Sequence, residues 1–200
     1  IGVLVAGNGA SDDAAKEALT NIAMQIAAMN PQYISRDEIS ADELAKMKEI
    51  TIDSALNDPF SLPKPVLSKL IEKAVASVWS AEDVAIYEEK KSNMNFLPNF
   101  LSKEAKAQLA EIACADKEEI SGNKIFSGLV EGRISKQMKE ICLLDQVYVK
   151  AEDGKQTVAA YLKSVNPALK IAKFVRFEVG EGMEKKNEDF AAEVAKQMNV

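Results

Sequence analysis

Apolar positions recur at helical intervals through the middle of this chain, and strand-like patterns are confined to its two ends. Ile1 to Ala6 is a short apolar run bounded by Gly7-Asn8-Gly9, which predicts a buried strand. Ala15, Ala18, Leu19, Ile22, Ala23, Ile26 and Ala27 then fall on one helical face. Ser11 can cap this helix, Asp12 and Asp13 sit in its first turn, and Asn30-Pro31 ends it. The opposite face carries Glu17, Asn21 and Gln25, which the pattern places in solvent.

Ser40 with Glu43 has capping-box spacing and predicts a helix to about Leu56. Prolines at 59, 63 and 65 interrupt. Leu67, Leu70, Ile71, Ala74, Val75 and Val78 form the stripe of the next helix. Ser80 and Ser102 can cap two more, with Asn93 to Leu101 as a loop between them and Ser121-Gly122-Asn123 as a turn afterwards. A last long helix is expected from about Lys124 to Glu140. Strand signal returns in Leu144 to Lys150, where β-branched and aromatic content outweighs an equivocal alternation. Thr157 can cap a short helix that Pro167 closes. From Ile171 the chain reads as a strand in which Val175, Phe177 and Val179 share the buried parity, Arg176 and Glu178 the other. After Gly180 and Gly182, Asn187 can cap a terminal helix with Phe190, Ala191, Val194, Ala195 and Met198 as its apolar stripe. Strand-forming ends around a helical middle predict an α+β fold with a helical excursion between its first helix and second strand.

Composition narrows the function. The net charge of -6 argues against nucleic acid or an anionic membrane as partner. No apolar stretch approaches the ~20 residues of a membrane span. Two cysteines make no disulfide framework and suggest a reducing, cytoplasmic setting. Cys114 and Cys142 read as small core residues, and Trp79 as packing. The chain has no histidine, which removes Ser-His and Cys-His pairs and the commonest zinc ligand. No spacing singles out an acid-base pair among the carboxylates. Catalytic residues, metal sites and cofactors are therefore not expected. Gly7-Asn8-Gly9 imitates a dinucleotide-binding turn, but Asp12 stands where the third glycine belongs and would repel pyrophosphate. Two alternatives stay open on residues alone: a small nucleotide-dependent enzyme using that turn, or a helical scaffold. Gln25 sits among Ala23, Ala27 and Ala28, small neighbours that let another surface approach closely. Because Ile1 opens inside a strand, a fragment of a longer protein is expected.

Five segments together resemble the elongation factor Ts family, in that family's order. They are Ile1 to Ala6, Ile22 to Pro31, Val130-Glu131-Gly132-Arg133, Leu144 to Val149, and the tail from Phe174 to Lys185 with Asp189 to Ala195. Residues 58–120 have no counterpart in the resemblance and read as an enlarged helical protrusion. The resemblance implies a C-terminal half. Its small antiparallel sheet packs with helices in a discontinuous core of residues 1–39 and 124–179. An all-helical, coiled-coil-like protrusion would span 40–123, and a C-terminal helical module 180–200. It implies binding to the GTPase elongation factor Tu and promotion of GDP release, as a nucleotide exchange factor rather than an enzyme. The partner-binding residues it implies are Gln25, where the family usually has histidine, then Val149 and Lys150, and Asp189, Phe190, Glu193 and Val194 of the terminal helix. It also allows homodimers through the core or the protrusion.

Overall fold

Helix starts in this chain are set by local capping chemistry. A computed structural model describes residues 1–182. The Asp12 carboxylate accepts the Ala15 N–H at 2.7 Å and starts α1 (Asp13–Met29), one residue beyond the expected Ser11. Ser40 and Glu43 form the expected capping box of α2 (Ala41–Asn57). Then follow α3 (Lys64–Ser77), α4 (Ala81–Lys90) capped by Ser80, and α5 (Lys103–Ala115) capped by Ser102. After α6 (Lys117–Ser121), Asn123 caps α7 (Lys124–Ile141) and Thr157 caps α8 (Val158–Val165). Five residues cannot display a periodic stripe, and α6 has no signature in the apolar pattern.

The sheet is a single antiparallel pair among the described residues, β1 (Gly2–Asn8) with β2 (Lys170–Phe177), so the fold is α+β as expected. Its faces differ from the expectation. Ala6 pairs with Lys173 but Gly7 pairs with Ile171, which leaves Ala172 as a bulge. The extra residue switches parity, so Ile171 and Phe174 both turn toward the helices, alongside Val3 and Val5. Val175 and Phe177 are thereby on the outer face with Leu4, and Val179 is exposed, the reverse of the parity expected. β1 is correspondingly half-buried, not buried.

Leu144 to Lys150 is not a strand. It begins in a 3-10 turn (Leu143–Asp145), and its ladder-type backbone pairing is limited to a short bridge with Gln156 and Val158. Among the described residues, no neighbouring strand extends that pairing.

Two hydrophobic clusters support these elements. One joins α1, α8 and the sheet through Ala15, Ala18, Ile22, Ile26, Val158, Leu162 and Ile171. The other fills the helical insertion with residues such as Leu56, Ile71, Leu97, Leu109 and Phe126. Trp79 belongs to it as packing, with its indole N–H donating 3.0 Å to the Ala105 carbonyl. Beside it the buried Asp83 carboxylate ties two helix starts together. It accepts the Ser102 N–H at 2.9 Å and hydroxyls from Ser80 and Ser102. Burial pushes its pKa up, but these hydrogen bonds outweigh burial and hold it below the usual carboxylate range.

The base of the insertion is closed by backbone hydrogen bonds. Ile141 C=O accepts from Gln32 and Tyr33, while Leu143 and Leu144 donate to Tyr33 and Ile34 at 2.8 and 3.0 Å. Cys142 is buried there, as expected. Cys114 is exposed on α5, contrary to its reading as a core residue, because it sits one position past the buried Ala113 on the outer side of the helix. No helix among the described residues is long and apolar enough to cross a membrane. The terminal helix expected after Asn187, with Asp189, Phe190, Glu193 and Val194, lies outside the described residues.

Candidate functional site

The second face of α1 is polar, and it is occupied. Asn21 and Gln25 lie one helical turn apart and both reach the segment from Gln146 to Lys150. Gln25 is 0% exposed, which overturns the expectation that it lies in solvent. The helical wheel counts a polar side chain as outward, but burial is tolerated where hydrogen bonds replace water. Here the Gln25 Nε2 donates to the Val147 carbonyl at 3.0 Å and to Gln146 Oε1 at 3.2 Å. Its Oε1 accepts the Val149 N–H at 2.8 Å. The Gln146 amide in turn donates to the Glu140 carbonyl, in the last turn of α7, at 2.6 Å.

Three of the sequence-predicted residues are thus brought together. Val149 is held by Gln25, and the Lys150 ammonium donates to Asn21 Oδ1 at 2.8 Å. The segment alternates: Gln146 and Tyr148 are buried, while Val147 and Val149 are each 47% exposed. Exposed apolar side chains next to a cation form the kind of surface on which a protein partner can dock.

Sequence reasoning missed Asn21, Gln146, Val147, Tyr148 and Tyr161 as members of this site. The Asn21–Gln25 spacing of four was the available signal; the tyrosine pair had none. Tyr148 and Tyr161 stack with ring centroids 4.0 Å apart, and Asn21 donates to the Tyr161 hydroxyl at 2.9 Å. An open groove beside them is lined by Lys150, Asp153, Lys155, Thr157 and Ser164.

Desolvation and then the neighbouring Tyr161 hydroxyl push the Tyr148 pKa up from 10 to about 12. The folded state therefore holds its proton where the unfolded chain releases it. The stability this contributes is complete below pH 10 and is lost as pH rises toward 12. Denaturant titrations at pH 9 and pH 11.5 should show Tyr148→Phe losing about 1 to 2 kcal/mol less than the unaltered chain over that interval. Parallel losses would remove the tyrosine from the account.

The Gly7-Asn8-Gly9 turn has a packing explanation. Gly9 has φ +87°, and a Cβ there would lie 1.8 Å from the Ala168 carbonyl oxygen. The turn is closed against the connection from α8 to β2, and the start of α1 is taken by the Asp12 carboxylate. Among the described residues, no three histidine, cysteine or acidic side chains are placed to hold a metal ion.

Comparison with known proteins identifies the family. The model of the family described as Elongation factor TS matches residues 1–89 and 85–181. Elongation factor Ts of Alkaliphilus metalliredigens is 35% identical over 205 residues, covering 99% of this chain and 67% of that protein. That of Clostridioides difficile is 34% identical over 201 residues, covering 99% of this chain and 46% of its own length. That of Finegoldia magna is 34% identical over 193 residues, covering 94% and 62%. The chain spans from about half to two thirds of the length of these relatives.

Proposed function

Because the chain belongs to the elongation factor Ts family, we propose that it binds the translational GTPase elongation factor Tu and promotes release of its GDP. The observation that carries this reading is the family match running from the first residue to residue 181, over residues 1–89 and 85–181. The exposed Val147 and Val149 with Lys150 supply a surface suited to it. Residues 1–39 with 124–179 act as the partner-binding core, 40–123 as the protrusion and 180–200 as a terminal module. In that module Asp189, Phe190, Glu193 and Val194 make the second contact. Gln25 serves the first contact from beneath.

Exchange needs no reacting side chain. A factor that prefers the nucleotide-free GTPase lowers nucleotide affinity by the factor by which nucleotide lowers its own. Calorimetric titration should therefore show tighter binding to nucleotide-free than to GDP-loaded elongation factor Tu. Val149→Asp, which places a charge on the exposed apolar patch, should weaken the nucleotide-free complex about tenfold or more. Equal affinity for both forms, or no complex with either, would refute the proposal.

A further inference from the structure

A strand normally holds its neighbour with a carbonyl and an N–H from one residue. In a parallel ladder, one residue bonds to the C=O of a partner residue and to the N–H two positions further along. The Gln25 side chain makes the same pair of bonds to Val147 and Val149, at 3.0 and 2.8 Å. Its carboxamide carries the donor and acceptor side by side, as a peptide group does. Among the described residues, the segment that the sequence reads as a strand has no strand beside it on this edge, and a buried side chain supplies a half-ladder in its place.

We infer that Gln25 is a positioning residue, one that sets the display of Val147, Val149 and Lys150 without touching the partner itself. This rests on the partner reading above. Gln25 is fully buried, so its effect must pass through the segment it holds. The amide of Gln146 extends the hold to the Glu140 carbonyl and thereby to the end of α7. Helix α1, the displayed segment and the returning helix of the insertion are joined through two glutamines. All four N–H donors of that pair except one on Gln146 are used in the bonds already given. An apolar residue of similar length at position 25 keeps the volume and deletes the half-ladder.

Amide hydrogen exchange of the whole chain tests this directly. In the unaltered protein the Val149 N–H should exchange at least a hundredfold more slowly than an unstructured amide, although its side chain is half-exposed. In Gln25→Met the Val149 amide should exchange tenfold or more faster, while Ile22 and Ile26 in α1 change far less. A general loss of stability would accelerate all of them together. The same substitution should weaken binding to nucleotide-free elongation factor Tu by tenfold or more, and Gln25→Glu, which keeps the acceptor and loses the donor, should also weaken it. An unprotected Val149 amide in the unaltered chain would overturn the positioning role without any variant. So would Gln25→Met binding as tightly as the unaltered chain. Absence of binding by the unaltered chain would instead sink the partner reading, and this inference with it.

Discussion

Gly9→Ala is expected to destabilise the fold by about 3 to 5 kcal/mol, combining a left-handed backbone with a forced contact against neighbouring main chain. The backbone of Gly9 has φ +87°, where L-residues are disfavoured. The added methyl would lie 1.8 Å from a main-chain oxygen, that of Ala168, which no rotamer change can move aside. Relief requires shifting the connection between α8 and β2, on which the pairing of Asn8 with Lys170 depends. At about 2 to 4 °C per kcal/mol for a chain of this size, the melting temperature followed by circular dichroism should fall by roughly 10 °C or more. Gly128→Ala is the matched control. That glycine lies inside α7, a methyl on it would meet nothing within 4 Å, and alanine there should stabilise by up to about 1 kcal/mol. A Gly9→Ala protein melting within 2 °C or so of the unaltered chain would show that the turn is not packed as described.

Trp79→Ala should cost about 3 to 5 kcal/mol, concentrated in the helical insertion. The indole is 7% exposed, meets Tyr87 edge-on with ring centroids 6.2 Å apart, and donates to the Ala105 carbonyl in the interior. Truncation opens a cavity and removes that hydrogen bond together. Trp79→Phe separates the two effects: it keeps most of the ring volume and loses the hydrogen bond, so a loss of about 1 to 2 kcal/mol is expected. Urea denaturation followed by far-ultraviolet circular dichroism reads both, since the chain has a single tryptophan and the variants lose its fluorescence. Equal losses in the two variants would mean that the hydrogen bond, not the packing, carries the site.

Local features of this fold were legible and non-local ones were not. Ser40, Ser80, Ser102 and Thr157 announce helices because a cap acts over three residues. The helical insertion between the first helix and the last strand could likewise be read from apolar stripes. The orientation of β2 could not, because it depends on Ala172 having no partner in β1, more than 160 positions away. Gln25 shows the same limit. Its surroundings in sequence are those of a solvent-facing side chain, and its partners lie 121 to 124 residues further along. The alternation in Gln146 to Val149 was equivocal in the sequence, although in the structure Gln146 and Tyr148 face inward and Val147 and Val149 outward. It failed on what the segment pairs with, since a side chain occupies the place of a strand.

The hydrogen bonds between residues 32–34 and 141–144 have a consequence for how such a chain can diversify. Everything beyond them departs from and rejoins the host at nearly one point. Loop-closure entropy changes by only about 0.6 kcal/mol for each doubling of length, so changing the length of what is spliced in there costs the host little. That junction is a natural grafting point: with the last turn of α7 and its Glu140 carbonyl kept, shorter hairpins, longer bundles or foreign domains could be exchanged beyond it while the α1 surface stays as it is.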